Sequence, residues 1–274
     1  MVDRTVFFLS DQTGVTAETL GHSLMTQFSA KKFRHTTLPF IDTEDKARAA
    51  VRTINAVQDE GGPKPIVFST LVQGEYRAIL KEANGLHLDI FDVFLEPLAR
   101  ELEEEPNFEP GRAHGMSDID AYMKRIEATN FALANDDGGV SRNYDEADVI
   151  LVGVSRSGKT PTCLYLALQY GVYAANYPLT DEEFESGKLP EFLIKQKQKL
   201  FGLSIDPARL SQIRKERRPM GTYSSVQQVR FELRETEKLF RRYGIPNVDT
   251  TKFSIEEISS RILDSTGVER RVRP

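Results

Sequence analysis

The sequence predicts an α/β protein of two domains, each built on a parallel sheet. Short aliphatic runs such as Val6–Leu9, Ile66–Phe68 and Val149–Val152 alternate with amphipathic stretches of helical length, the pattern of strand–helix–strand units. The acidic, proline-containing stretch Glu101–Gly111 divides the chain into halves and reads as a surface linker. The second half opens on Gly153-Val154-Ser155-Arg156-Ser157-Gly158-Lys159-Thr160, which is G-x-x-x-x-G-K-[ST], the phosphate-binding loop pattern. These place a Rossmann-like α/β domain over 1–105, a linker and connecting helix over 106–146, and a P-loop α/β domain of kinase-like build over 147–274.

In chain order, Val6–Leu9 is a buried strand. Ser10, Asp11, Thr13, Gly14 and Thr16 follow it, at the strand end where open α/β sheets bind ligands. They form either a second anion or substrate site, or ordinary helix capping by Thr13 or Thr16. The next helix has Leu20, Leu24 and Phe28 at four-residue spacing, which predicts its buried face. Thr36–Ile41 is an edge strand because of Pro39. A charged helix over Asp42–Gln58 turns Ala47, Ala50, Val51, Ile54 and Val57 to one side. Gly61-Gly62-Pro63 breaks it. Pro65–Thr70 is a buried strand, Glu75–Glu82 a helix, and His87–Phe94 a further strand or a strand–helix step.

After the linker, a helix runs to Ala134 with Tyr122, Ile126, Phe131 and Leu133 apolar. Asp136-Asp137-Gly138 closes it. The two aspartates serve either as turn residues or as the carboxylate that phosphoryl transfer needs beside its nucleophile. Strands follow at Asp148–Val152, Tyr173–Leu179 and Leu200–Ile205. Asp206, at a strand's carboxyl end before Pro207, is either a metal-site acid or a helix N-cap. Arg209–Arg218 is a basic helix, either a solvated face or, through Arg214, Arg217 and Arg218, a set of charges that closes over a phosphate. Ser225–Arg242 is an amphipathic helix, Ile245–Thr250 a last strand, and Ser254 caps the final helix with Glu257. The basic tail Glu269–Pro274 is expected to fray.

The residue types of the 153–160 stretch state their chemistry. Gly153 and Gly158 let the backbone curl with its N–H groups inward, and the loop ends on a helix N-terminus. Lys159 supplies a point charge to terminal phosphates, and the Thr160 hydroxyl suits a magnesium ion. Val154, Ser155, Arg156 and Ser157 complete the cradle.

Composition bounds the rest. The 274 residues are 39% hydrophobic and 28% charged, with a net charge of −5. A soluble globular protein fits, and a dedicated nucleic-acid binder does not. No run reaches membrane-spanning length, and Cys163 is the sole cysteine, so no intramolecular disulfide can form. The expected location is the cytoplasm. His22, His35, His87 and His114 have no metal-ligand spacing. The sequence leaves the oligomeric state open, a homodimer included.

Four stretches together carry a resemblance: Ser10–Glu18, Asp136–Gly138, Gly153–Thr162 and Ala174-Ala175-Asn176-Tyr177-Pro178. The chain resembles the bacterial regulatory proteins of phosphoenolpyruvate synthase, bifunctional kinase/phosphorylases related to the regulators of pyruvate, phosphate dikinase. Gly158 and the Ala-Ala-Asn-Tyr-Pro stretch favour the synthase branch. The resemblance implies ADP as phosphoryl donor, with AMP released and a threonine of the partner enzyme as acceptor. It also implies removal of that phosphate by inorganic phosphate, with pyrophosphate released. On that basis Lys159 and Arg156 offset charge on the transferring group, Mg²⁺ binds at Thr160, and Asp137 or Asp136 is the base. The turn from Ser10 to Thr16 is expected to hold the partner's phosphorylated segment or the attacking phosphate. Two competing readings remain, a nucleotide-dependent switch without transfer and a small-molecule kinase.

Overall fold

The computed structural model describes residues 4–28, 32–108, 119–136, 143–218 and 221–272. Its contacts divide into two compact units, Met1–Gly115 and Met116–Pro274.

The first unit runs β1 (Arg4–Leu9), α1 (Val15–Met25), β2 (Phe33–Leu38), α2 (Glu44–Asp59), β3 (Ile66–Ser69), α3 (Gly74–Leu80), β4 (Leu86–Asp89) and α4 (Ile90–Leu102). Its strands lie in the order β2-β1-β3-β4, all neighbours parallel, with Phe7 level with Thr36 and Val67. Being central, β1 is covered on both faces. Phe7 and Leu9 pack with Ala47, Ala50 and Ile54 of α2, while Val6 and Phe8 pack with Ala17 and Met25 of α1. β2 is an edge strand as expected, and it ends before Pro39.

α1 departs from the expected orientation. Its buried stripe is Ala17, Gly21 and Met25, while Leu24 and Phe28 are exposed. The reason is close approach. A Cβ on Gly21 would lie 2.3 Å from the Phe8 ring and 2.9 Å from that of Phe68, so only a small-residue face can lie on this sheet. Both stripes have four-residue spacing, and side-chain size picks the wrong one.

The second unit runs α5 (Ile119–Ala134), β5 (Val149–Gly153), α6 (Lys159–Tyr170), β6 (Ala174–Pro178), α7 (Asp181–Ser186), α8 (Glu191–Lys195), β7 (Leu200–Ser204), α9 (Pro207–Arg217), α10 (Val226–Tyr243), β8 (Asn247–Asp249) and α11 (Ile255–Thr266). The strand order is β6-β5-β7-β8, again all parallel. Val149 and Leu151 pack with α5, α6 and α11, through Ala128, Ala132, Cys163, Leu166 and Ile262. Ile150 and Val152 face the other way, among Phe184, Leu193, Leu210, Leu233 and Phe240 of α7 to α10. The connecting helix is thus part of this second core. On α5 the apolar Tyr122, Ile126 and Leu133 are exposed, and Ala128 and Ala132 make the contact.

The tail is docked through Val272 rather than frayed. Arg271 and Val272 donate their N–H groups to the Tyr170 carbonyl, and the Arg271 guanidinium pairs with Asp148 and stacks on Tyr173. Among the described residues, no helix is long and apolar enough to cross a membrane.

Candidate phosphate-binding site

The loop between β5 and α6 is held by its two glycines for different reasons. A Cβ on Gly153 would sit 2.4 Å from the Leu203 carbonyl oxygen, so a side chain has no room between β5 and β7. Gly158 has space around it but adopts φ 95°, ψ 9° as the N-cap of α6, with no side-chain cap. Only glycine enters that region without strain. The first N–H groups of α6 therefore lack a capping side chain, the arrangement that suits an anion. Between the glycines, Val154 is buried in the core and Arg156 takes a left-handed φ of 74°.

Lys159 is only 3% exposed, and its ammonium donates to the Val154 carbonyl at 3.0 Å, inside the loop. Thr250, just after β8, lies within donating distance of the carbonyls of Ser157 (3.2 Å) and Ser204 (3.0 Å). It ties the loop to the sheet's far side.

A polar cluster forms where α5, α6 and β6 meet. The Thr160 hydroxyl donates to Asp136 Oδ1 at 2.7 Å, and the Asn176 amide donates to the same carboxylate oxygen. Asn176 also lies 3.4 Å from Thr160 Oγ1. Asn176 is 2% exposed, and its Oδ1 is buried with no hydrogen-bond partner. Asn135 sets this corner. Its side chain donates to Phe131 O and accepts from Asn143 N, while its carbonyl accepts from Asn176 N. Of the two expected carboxylates, Asp136 is brought to Thr160, and Asp137 lies outside the described residues.

The oxygens of Thr160 and Asp136, side by side at 2.7 Å, are the hard donors that Mg²⁺ selects. The donor set therefore fits the ion. Among the described residues no cluster of three or more histidine, cysteine, aspartate or glutamate side chains is placed to hold a metal ion.

Other candidates resolve differently. Asp206 is an N-cap, its Oδ1 accepting from Arg209 N at 2.9 Å. Arg214 is fully buried and paired with Glu232 at 2.6 Å, so it cannot reach out over a ligand. Arg217 and Arg218 are exposed at the end of α9.

Ser10, Asp11, Thr13, Gly14 and Thr16 line a cavity of about 450 Å³ in the first unit, with Thr70 and the apolar face of α4 (Phe91, Leu95, Leu98). Thr13 and Thr16 do not cap α1. Gly14 does, at φ 82° with no side-chain bond. Asp11 is buried and accepts from Val72 N at 3.0 Å.

Sequence reasoning missed Asn176 and Thr250 as site residues. Asn176 had one signal, a polar side chain inside an otherwise apolar strand. Thr250 had none, since its partner carbonyl is 93 residues away.

A model of the family described as kinase/pyrophosphorylase matches residues 6–263. A protein of Pseudomonas putida (strain W619) is 54% identical over 270 residues, covering 98% of this chain and 99% of its own length. One of Pseudomonas aeruginosa (strain LESB58) is also 54% identical, over 98% of both chains. One of Stutzerimonas stutzeri (strain A1501) is 55% identical over 98% of this chain and 99% of its own. Each carries the name "Putative phosphoenolpyruvate synthase regulatory protein". The chain belongs to the kinase/pyrophosphorylase family.

Proposed function

We propose that the second unit holds the phosphates of ADP on the Gly153–Thr160 loop and transfers the β-phosphoryl group to a threonine of phosphoenolpyruvate synthase. We propose further that it reverses this modification with inorganic phosphate. The observation that carries the reading is the meeting of Thr160, Asp136 and Asn176 at the N-terminus of α6, beside a lysine held inside the loop.

Forward, the acceptor threonine oxygen attacks the β-phosphorus of ADP. One P–O bond forms, the bond to AMP breaks, and the threonine proton passes to a carboxylate, Asp136 or its neighbour Asp137. Lys159 and Arg156 offset the charge on the transferring group, and the α6 N–H groups orient it. Bound Mg²⁺ would be held at Thr160 with Asp136 and Asn176 beside it, and it supplies charge neutralisation between phosphates. In reverse, a phosphate oxygen attacks the phosphothreonine phosphorus, the bond from that phosphorus to the threonine oxygen breaks as pyrophosphate forms, and the threonine oxygen recovers a proton from the same carboxyl group. Both directions move one phosphoryl group between oxygens, so one cationic cradle serves both. The proposed location is the cytoplasm, where the partner enzyme would be met, and a homodimer is compatible with the reading.

The test is transfer to purified phosphoenolpyruvate synthase, phosphorylated on its histidine. ADP labelled on the β-phosphate and ATP labelled on the γ-phosphate are run in parallel, with Lys159→Ala as control. Label on a partner threonine from ADP alone, absent with Lys159→Ala and released as pyrophosphate by added phosphate, is the expected result. Nucleotide binding without label on the synthase or on pyruvate, phosphate dikinase would overturn it in favour of a switch.

A further inference from the structure

We propose that Arg214, with Glu232 and Tyr223, is a positioning brace that holds the phosphate loop in its binding conformation. The inference rests on the nucleotide-binding reading above.

The loop carries an internal cost. Arg156 is not glycine, yet it takes φ 74°. A left-handed L-residue persists only where its surroundings over-determine it. The group that does so touches the residue just before. One Arg214 terminal nitrogen donates to the Ser155 carbonyl at 3.1 Å and to Glu232 Oε2 at 2.6 Å. The other donates to Glu232 Oε1 at 3.1 Å and to the Tyr223 carbonyl at 3.0 Å. The guanidinium lies 4.3 Å over the Tyr223 ring, whose hydroxyl is 2.9 Å from Ser155 Oγ. Ser155 is thus gripped by its carbonyl and by its side chain, from α9 and from the turn after it.

The peptide plane turns that grip into a function. In a trans peptide, C=O and N–H point in opposite directions. Drawing the Ser155 carbonyl toward Arg214 therefore aims the Arg156 N–H away from α9 and α10. Inward-pointing N–H groups are what a phosphate nest is made of. The fork is also specific to arginine, since two nitrogens are each shared between the carboxylate and a carbonyl.

A purely structural ion pair makes a different prediction. Buried pairs replaced together by apolar residues of similar volume commonly keep or gain stability. The decisive variant is thus Arg214→Met with Glu232→Leu, accompanied by the milder Tyr223→Phe. Arg214→Ala alone is uninformative because it strands the Glu232 charge.

Three readouts are compared: melting temperature, ADP affinity by calorimetry, and amide hydrogen exchange of residues 155–158 without nucleotide. A purely structural pair moves only the melting temperature, whereas the brace also predicts changes in binding and loop exchange for the double variant. Its ADP affinity falls about tenfold, as relaxed loop strain must be restored on binding. The 155–158 amides exchange faster while those of β5 do not. Tyr223→Phe shows the same changes in smaller degree, and it decides the matter if the double variant does not fold. Wild-type affinity and exchange in a folded variant would overturn the brace. Failure of the wild-type protein to bind ADP would overturn the nucleotide reading instead, and the exchange comparison would still decide whether Arg214 orders the loop.

Discussion

Gly153 and Gly158 bound the phosphate loop, and alanine at either should fail for opposite reasons. A methyl group on Gly153 would meet the Leu203 carbonyl oxygen at 2.4 Å and Ser157 Oγ at 3.0 Å. A relaxed carbon–oxygen contact is about 3.3 Å, so β5 and β7 must part by roughly 0.9 Å or the loop must tilt by as much. β7 cannot give easily, because it is paired with β5 on one side and β8 on the other. Overpacking of this kind costs about 1–3 kcal/mol. For a domain of this size, that is about 2–4 °C of melting temperature per kcal/mol. On the proposed function the same shift would reach the phosphates, and a misplacement of about 1 Å costs on the order of 100-fold in transfer. Gly158→Ala meets nothing within 4 Å. Its cost is the backbone conformation alone, about 1–2 kcal/mol. Asparagine separates the two causes, since it tolerates the left-handed region but occupies more space. Denaturant unfolding and the phosphoryl-transfer assay on Ala and Asn variants at both positions form the experiment. Gly158→Asn should recover part of what Gly158→Ala loses, while Gly153→Asn should be worse than Gly153→Ala. Wild-type melting and transfer in Gly153→Ala would refute the steric argument, and Asn no better than Ala at 158 would refute the conformational one.

Two further outcomes follow from the described geometry. Asp206→Ala should lower stability by about 1 kcal/mol through loss of the α9 cap, with transfer per folded molecule unchanged; a transfer rate that falls by more than tenfold would return Asp206 to the reaction. Gly21→Ala should destabilise the first unit, because its Cβ would lie 2.3 Å from the Phe8 ring, and limited proteolysis should then cut the first unit well before the second.

The strand, glycine loop and helix around 153–160 were legible because the motif imposes local rules on few residues, and its neighbours obey them. Alternating aliphatic runs likewise announced both parallel sheets. What escaped depends on partners far along the chain. Arg214 reads as one arginine in a basic, solvated helix, and only Glu232, 18 residues on, explains its burial. Asn176 entered as part of a resemblance, and its place beside Asp136 depends on the return of α5 to β6 across 40 residues. The docked tail depends on Asp148, 123 residues before Arg271. The buried face of α1 escaped for another reason, since hydrophobic size and the space available pointed to different stripes.

The two units share more than a class. Each sheet places its first strand second from the edge, in the same order, and five residues separate that strand from the first helix in both. Both loops end on a left-handed glycine with no side-chain cap, Gly14 at φ 82° and Gly158 at φ 95°. The backbone cradle is therefore a product of this topology and appears twice. The charge is not. Val15 stands where the second loop has Lys159, and among the described residues the cavity beside the first loop is lined by Asp11, Glu104 and Glu105 with no lysine or arginine. Helix N-terminal groups alone offset only about half a unit charge, so of the two loops as described the second offers the more cationic setting. Lys159 and the Thr160–Asp136 cluster are what the second loop adds to the shared backbone. The fold supplies hydrogen-bond donors in both halves, and a few side chains set the charge that each loop presents.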